Sequence, residues 1–494
     1  MTARLIFGDA SWSGADIEQR AQRLAGGLHR SGVGEGDVVA VMLRNDPAYI
    51  ELILAARRLG CYNCQVNWHY KADEVGFILR DSGAKALLVN GDLVPALAKA
   101  IPPAVTVLAV GAQEAAGAAA LDYRTWLQQQ EPYSGPVATP RGNMAYTSGT
   151  TGRPKGVRRF APSAEQQRHA AEVVRATMGI GPGVRALISA PLYHSAAGLF
   201  AQQAMLHGAC LVLAAKFDAE QFLADIERHR IEVAYLVPIM YVRLLRLPAT
   251  VRARYDLSSL AFVASTGSPC APEIKRAMIE WLGPVIYETY ASSETGMLTV
   301  MDPREAGRKP GSAGRPVGEA VIRILDAAGQ PCAASEVGTV YARQPAYADF
   351  TYNNNDAARR AIERDGLISV GDIGYLDEEG YLYICDRAAD MVISGGVNIY
   401  PSEIEHVLYE MPGVADCVVF GMPDEEYGEA LAAHVVAEPG LSAEAIRAFL
   451  QQRIAGYKVP RQIELVPALP RDENGKIAKR KVRDAYWQER QRRI

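Results

Sequence analysis

Residues 145–156 read Ala-Tyr-Thr-Ser-Gly-Thr-Thr-Gly-Arg-Pro-Lys-Gly, and the rest of the chain makes sense as apparatus around them. Thr147, Ser148, Thr150 and Thr151 offer hydroxyls that can donate to phosphate oxygens. Gly149 and Gly152 have no Cβ, so backbone N–H groups can close in on an anion. Lys155 adds a point charge, while Pro154 fixes one φ angle and removes a donor. A Walker A loop needs four residues between its first Gly and a Gly-Lys-Ser/Thr triplet. Here Lys155 precedes Gly156 and no hydroxyl residue follows, so that class of loop is excluded. A Ser/Thr/Gly surface turn is the plain alternative to a phosphate loop.

Upstream of the loop, strand patterns at 37–43, 63–67 and 84–89 alternate with helical patterns at 14–30, 48–59 and 71–81. Ile17, Ala21 and Leu24 fall on one face of the first helix, and Gly60 closes the second. This alternation predicts a mostly parallel sheet covered on both sides. The stretch 111–120 is Ala/Gly-rich and reads as a loop or a frayed helix. Downstream, strands at 186–190, 210–214, 233–237, 260–265 and 285–290, with helices at 219–229 and 272–281, predict a second sheet of the same kind. Ligands of such sheets sit at the carboxyl ends of the strands. From about residue 311 the texture changes to short strands and Gly turns at 321–325, 339–343 and 381–385, a small β subdomain.

Residues 386–390 read as a hinge, because a unit with its own helices and strands follows. In that unit Pro401 and Ser402 open a helix, strands fall at 417–421 and 431–437, and Ser442 caps another helix. The expected fold class is α/β: a large N-terminal domain of two α/β sheet subdomains plus a small β subdomain, then a small mobile α+β C-terminal domain. The boundaries are 1–386, a hinge at 387–390, and 391–494.

A length of 494 residues suggests about three domains or subdomains. A net charge of −4 argues against nucleic acid as the main partner, and 49% hydrophobic with 22% charged residues is ordinary globular composition. No run of 18 apolar residues and no signal-peptide core occur, so no integral membrane segment and a cytoplasmic location are expected. Seven cysteines, an odd number, do not form a disulfide framework. Cys61-Tyr-Asn-Cys64 lacks a second pair and runs into a strand, which favours packing over redox or zinc chemistry. The basic tail at 479–493 reads as a solvated helix.

Taken in order, the twelve loop residues resemble the signature loop of the adenylate-forming superfamily, which includes acyl-CoA synthetases, aryl-CoA ligases, luciferases and peptide-synthetase adenylation domains. The resemblance implies that the loop holds the β- and γ-phosphates of ATP, and it extends over residues 37–480 in seven ordered blocks. Pro191-Leu-Tyr-His-Ser-Ala-Ala-Gly198 is similar to the block gating the carboxylate pocket. It implies a gating role for His194, otherwise a structural histidine, with Ala197 and Gly198 leaving room for an acyl chain. Ser265-Thr-Gly-Ser-Pro269 resembles the segment flanking adenine and acyl group, which places Gly267, Ser268 and Pro269 at the nucleotide and Thr266 with Pro238 at the acid.

Tyr290-Ala-Ser-Ser-Glu294 resembles the aromatic-Gly-x-Thr-Glu block, with Ala291 for Gly and Ser293 for Thr. It implies Tyr290 against adenine, Ser293 at the α-phosphate and Glu294 on Mg²⁺, a hard ion suited to oxygen ligands. Asp372 and Arg387 resemble the residues that hold the ribose. Ala389 stands where relatives carry Asp or Lys at the hinge. Ser394, Gly395 and Gly396 resemble the loop that approaches the pantetheine thiol of CoA, and Lys476 resembles the lysine that offsets charge on the α-phosphate.

The implied activity is an ATP-dependent acid:CoA ligase, in which acid and ATP give acyl-AMP and pyrophosphate and the CoA thiol then displaces AMP. An acyl-AMP ligase that loads a carrier protein and a non-catalytic nucleotide-binding scaffold are the alternatives. Residues 195–200, 236–241 and 266–268 carry no charge, which favours an apolar fatty or aryl monoacid. Expected partners are that small-molecule carboxylic acid, ATP, Mg²⁺ and CoA, with no nucleic acid and a homodimer as one possible assembly.

Overall fold

A computed structural model describes residues 3–111, 120–147, 154–268, 270–395, 397–471, 477 and 479–487. The helices form where the pattern places them. Ser13 caps helix Gly14–Arg30 by accepting from the N–H of Asp16, whose carboxylate reciprocates, and Ile17, Ala21 and Leu24 are buried. Helix Pro47–Leu59 starts on Asp46 with Pro47 in its first turn and ends at Gly60, whose φ of 65° suits glycine.

Among the described residues the first sheet has eight strands in the order Phe350–Tyr352, Lys155–Arg159, Asn143–Thr147, Tyr62–Gln65, Val38–Met42, Ala86–Asn90, Thr106–Val110, Leu121–Asp122. Its pairings are parallel from Asn143–Thr147 onward. Lys155–Arg159 and Phe350–Tyr352 add to its edge antiparallel. The second sheet runs Ile286–Glu288, Phe262–Ser265, Val233–Leu236, Arg185–Ile188, Cys210–Leu213, Arg4–Phe7, Ala10–Trp12, parallel except for the last strand. The strand Arg4–Phe7 is not evident in the sequence, because its partner Cys210–Leu213 lies some two hundred residues away. One continuous hydrophobic core joins the two sheets, with Leu24, Ile53, Phe200 and Tyr235 among its members.

The small sheet is antiparallel, pairing Val321–Leu325 with Gly338–Arg343 and Asp372–Leu376 with Leu382–Arg387. A last sheet combines Val397–Ile399, Val392–Ser394, Gly428–Ala437 and Val414–Asp424 with Gln462–Leu465. Successive residues of a strand face opposite sides. Cys417 and Val419 therefore pack under helices Pro401–Tyr409 and Ala443–Gln451, and Val418 and Phe420 need cover on the other face. Helix Lys479–Trp487 supplies it. Val482 is buried against Val418 and Phe420, the Trp487 indole N–H donates to the Gly421 carbonyl at 3.1 Å, and Lys479 pairs with Glu405 at 2.9 Å. For residues 479–487 this corrects the reading of the tail as a solvated helix, since one stripe of the basic helix covers a sheet, and residues 488–493 lie outside the described residues.

Cys61 and Cys64 are both buried, and burial pushes both thiols up to about 12. The expectation for the Ala/Gly-rich stretch falls mostly on residues 112–119, outside the described residues. Among the described residues no helix is long and apolar enough to cross a membrane.

Candidate active site

Strands Asn143–Thr147 and Lys155–Arg159 pair antiparallel, with Thr147 opposite Lys155, so residues 148–154 connect two neighbouring strands beside the edge strand Phe350–Tyr352 of the first sheet. Ser148, Gly149, Thr150, Thr151 and Gly152 lie outside the described residues, but both ends of the loop are placed. The Lys155 ammonium sits 5.2 Å from the centroid of the Tyr352 ring. The Thr147 hydroxyl donates to Glu294 Oε1 at 3.3 Å, and the Tyr352 hydroxyl donates to the same oxygen at 3.0 Å.

Glu294 is only 7% exposed, and its backbone is fixed from behind. Arg159 Nη2 donates to the carbonyls of Ser293 at 2.8 Å and Glu294 at 2.9 Å, and Nη1 donates to Ala348 at 2.9 Å. Burial and the neighbouring Glu294 charge push the Tyr352 phenol well above its usual range, so it stays a donor. Among the described residues no donor reaches Glu294 Oε2, and no cluster of three acidic, His or Cys side chains is present. That arrangement fits a Mg²⁺ ion bound through one carboxylate that takes its other ligands from phosphate and water.

Asp372 and Arg387 are cross-strand partners in the antiparallel pair Asp372–Leu376 and Leu382–Arg387. Arg387 Nε lies 3.4 Å from Asp372 Oδ1, and the Tyr290 hydroxyl donates to Oδ2. Burial, with Asp372 next to it, raises the Tyr290 phenol well above its usual value. Tyrosine, aspartate and arginine thus form one unit: an aromatic face fixed by its hydroxyl, a carboxylate only 6% exposed, and a cation half open to solvent.

A single cleft of about 3900 Å³ joins these groups. Of the residues singled out in the sequence, its wall contains Thr147, Lys155, His194, Pro238, Thr266, Gly267, Ser268, Tyr290, Ala291, Ser293, Glu294, Asp372, Arg387 and Ala389. Strand Phe262–Ser265 delivers Thr266 and Gly267 at its carboxyl end, and Gly267 takes a φ of 99° that a side chain would strain. His194 sits at the N-cap of helix Ser195–His207, its ring 4.3 Å from that of Tyr193.

Four of the predicted residues do not line the cleft. Ala197 is fully buried in the core, and Gly198 packs so closely that a Cβ would lie 2.5 Å from Gln65 Nε2 and 3.0 Å from the Leu192 carbonyl. Their small size therefore serves helix packing, which corrects the expectation that they leave room for an acyl chain. Ser394 and Gly395 also lie off the wall. Gly395 has φ 57° and its N–H donates to the Tyr427 carbonyl at 2.9 Å.

Pro269, Gly396 and Lys476 fall outside the described residues. The flanks of Lys476 are placed: Arg471 and Ile477 form an antiparallel bridge and both line the cleft. Arg471 is anchored by Asp416 at 2.6 Å and by the Tyr409 hydroxyl at 2.9 Å. Tyr352 and Arg159, which hold Glu294, were not evident in the sequence. Neither sits in a distinctive motif, and their juxtaposition depends on strand Phe350–Tyr352 pairing with Lys155–Arg159.

Residues 2–349 match the AMP-binding enzyme family and residues 403–476 match the AMP-binding enzyme C-terminal domain. A feruloyl-CoA synthase from Amycolatopsis sp is 33% identical over 96% of this chain and 93% of its own length. The fatty acid–[acyl-carrier-protein] ligase ScoC from Streptomyces coeruleorubidus is also 33% identical, over 97% and 92%. Among solved structures, o-succinylbenzoate CoA synthetase from Bacillus subtilis with its acyl-adenylate intermediate superposes with a TM-score of 0.82, 28% identity, and coverage of 97% of this chain and 95% of that one. The loop at residues 145–156, the Tyr290–Asp372–Arg387 unit and the matched lengths lead to one conclusion: the chain is an AMP-binding enzyme of the adenylate-forming superfamily.

Proposed function

We propose that this enzyme is an ATP-dependent carboxylic acid:CoA ligase acting on a fatty or aryl monocarboxylic acid. The observation that carries the reading is the shared cleft: Glu294, the Tyr290–Asp372–Arg387 unit and His194 open onto the same space as an apolar wall. A carboxylate oxygen attacks the α-phosphorus of ATP, pyrophosphate leaves, and the acyl-adenylate carries a good leaving group. The CoA sulfur then attacks the acyl carbonyl, the thiol proton is lost, and AMP departs with the former bridging oxygen.

In this assignment Thr147, Lys155 and the residues 148–152 hold the β- and γ-phosphates. Tyr290 flanks adenine while Asp372 and Arg387 receive the ribose hydroxyls. Glu294 would hold Mg²⁺, which when bound neutralises charge between the phosphates. Lys476 offsets charge developing at the α-phosphate. Residues 1–386 and 391–494 form two bodies, and rotation about 387–390 exchanges Lys476 for Ser394, Gly395 and Gly396, excluding water from a hydrolysable intermediate. Ala389 permits that rotation through its backbone. The feruloyl-CoA synthase supports an aryl acid and the acyl-carrier-protein ligase supports a fatty one.

The latter relative also supports a second reading in which the acceptor is a carrier protein. Acid-dependent AMP release, measured with and without CoA over straight-chain, branched, aryl and polycyclic acids, separates the two. CoA-dependent release with an acyl-CoA product is the expected result. Adenylate without thioester assigns a carrier-protein acceptor, and no release with any acid would overturn both.

A further inference from the structure

Helix Ser195–His207 begins at His194 and divides lengthwise into two faces. Ala197, Phe200, Ala201, Ala204 and Met205 are fully buried in the core. Ser195, Ala196, Leu199, Gln202, Gln203 and Leu206 line the cleft. Such a split is the normal spacing of a helix packed on one side. Apolar side chains that line the same cleft include Ala170 and Val174 from helix Ala164–Met178, Ile239 and Val242 from Pro238–Leu245, and Ile274 from Pro272–Leu282, while Gln167 and Arg57 add polar groups to its wall.

Two carboxamides in adjacent positions interrupt that apolar surface. Gln202 and Gln203 are both half-buried, and neither side chain makes a hydrogen bond among the described residues. Gln166 differs, since its amide donates to the carbonyls of Pro345 at 3.3 Å and Tyr347 at 3.4 Å. A carboxamide offers two donors and an acceptor, and covering it with a wholly apolar ligand strips its water without replacing those bonds.

We infer that Gln202 and Gln203 are specificity-determining residues that read a hydrogen-bonding group at the far end of the acid. The preferred substrate is therefore an apolar body with a polar tip. The inference rests on the ligase reading above, in which the carboxylate reacts beside His194. Gln202 stands seven positions after Ser195, so the helix rise puts the tip about 10 Å from the reacting end. That is the scale of a para-hydroxylated phenylpropenoic acid or an ω-hydroxylated medium-chain acid.

The test is kcat/KM for CoA-dependent AMP release with two matched pairs: cinnamic against 4-hydroxycinnamic acid, and octanoic against 8-hydroxyoctanoic acid. The wild-type enzyme is expected to prefer the hydroxylated member of at least one pair by about tenfold or more. The double variant Gln202→Leu/Gln203→Leu should bring that ratio close to one by losing activity on the hydroxylated acid while keeping it on the plain acid. Turnover of the plain acid reports a folded enzyme, and Gln202→Met/Gln203→Met, which preserves side-chain length, repeats the test without the change in shape. Equal use of both members by the wild type, or a preference that survives in both variants, overturns the inference and leaves the ligase reading intact. So does silence with all four acids when another acid is turned over. Silence with every acid overturns the ligase reading itself.

Discussion

Glu294 shows how little of its setting an isolated residue reveals. Read alone, a glutamate in a Ser-rich turn is a solvated surface group. In the fold its backbone hangs on Arg159 and its Oε1 accepts from Thr147 and Tyr352, while no donor reaches Oε2 among the described residues. Glu294→Gln keeps the shape and removes the charge, so pyrophosphate release is expected to fall on the order of 100-fold. Tyr352→Phe removes one donor and leaves the carboxylate, which predicts a smaller drop of roughly threefold to tenfold. Both are measured as acid-dependent pyrophosphate release, and equal losses in the two variants would contradict the division of labour between ligand and support.

Elements impose constraints that a residue does not carry by itself. Asp372 and Arg387 stand fifteen positions apart in sequence and directly opposite each other in an antiparallel pair, so the pairing of the two strands sets the geometry of this carboxylate and cation. Helix Ser195–His207 touches Gln65 and Leu192 through Gly198, and Gln65 is itself held by the Leu192 carbonyl at 3.1 Å and by Asn143 at 3.0 Å. Gly198→Ala should therefore overpack the helix and destabilise the protein by about 1–3 kcal/mol, read from urea unfolding.

Helix Lys479–Trp487 reaches back to residues 387–390, where Arg483 Nη1 donates to the Ala389 carbonyl at 3.0 Å. Arg483→Met frees that carbonyl. The expected outcome is a few-fold slower acyl-adenylate formation with no slowing of thioester formation from supplied acyl-AMP. Loss of both rates together would mean that the helix acts on stability alone.

At the scale of the molecule, residues far apart in the chain, Thr147, Glu294, Asp372 and Ile477 among them, line one cleft. Arg471 and Ile477 line the wall, whereas Ser394 and Gly395 do not. Lys476→Ala is expected to abolish adenylate formation and to spare thioester formation from preformed acyl-AMP. Equal loss of both steps would remove the role assigned to this lysine.

The periodic elements were legible in the sequence because they are local: Asp46, Pro47 and Gly60 bound a helix, and alternating apolar runs announce parallel strands. The loop at 145–156 and the acid, hydroxyl and glycine blocks were legible for the same reason, since each is contiguous. Tertiary structure alone decided that Arg4–Phe7 joins Cys210–Leu213, that Tyr352 and Arg159 hold Glu294, and that the basic tail covers Val418 and Phe420. It also turned Ala197 and Gly198 into packing residues and Gln202 and Gln203 into the cleft-facing ones. Spacing along a helix states which residues share a face, but only its packing partners determine which face is buried and which meets the substrate.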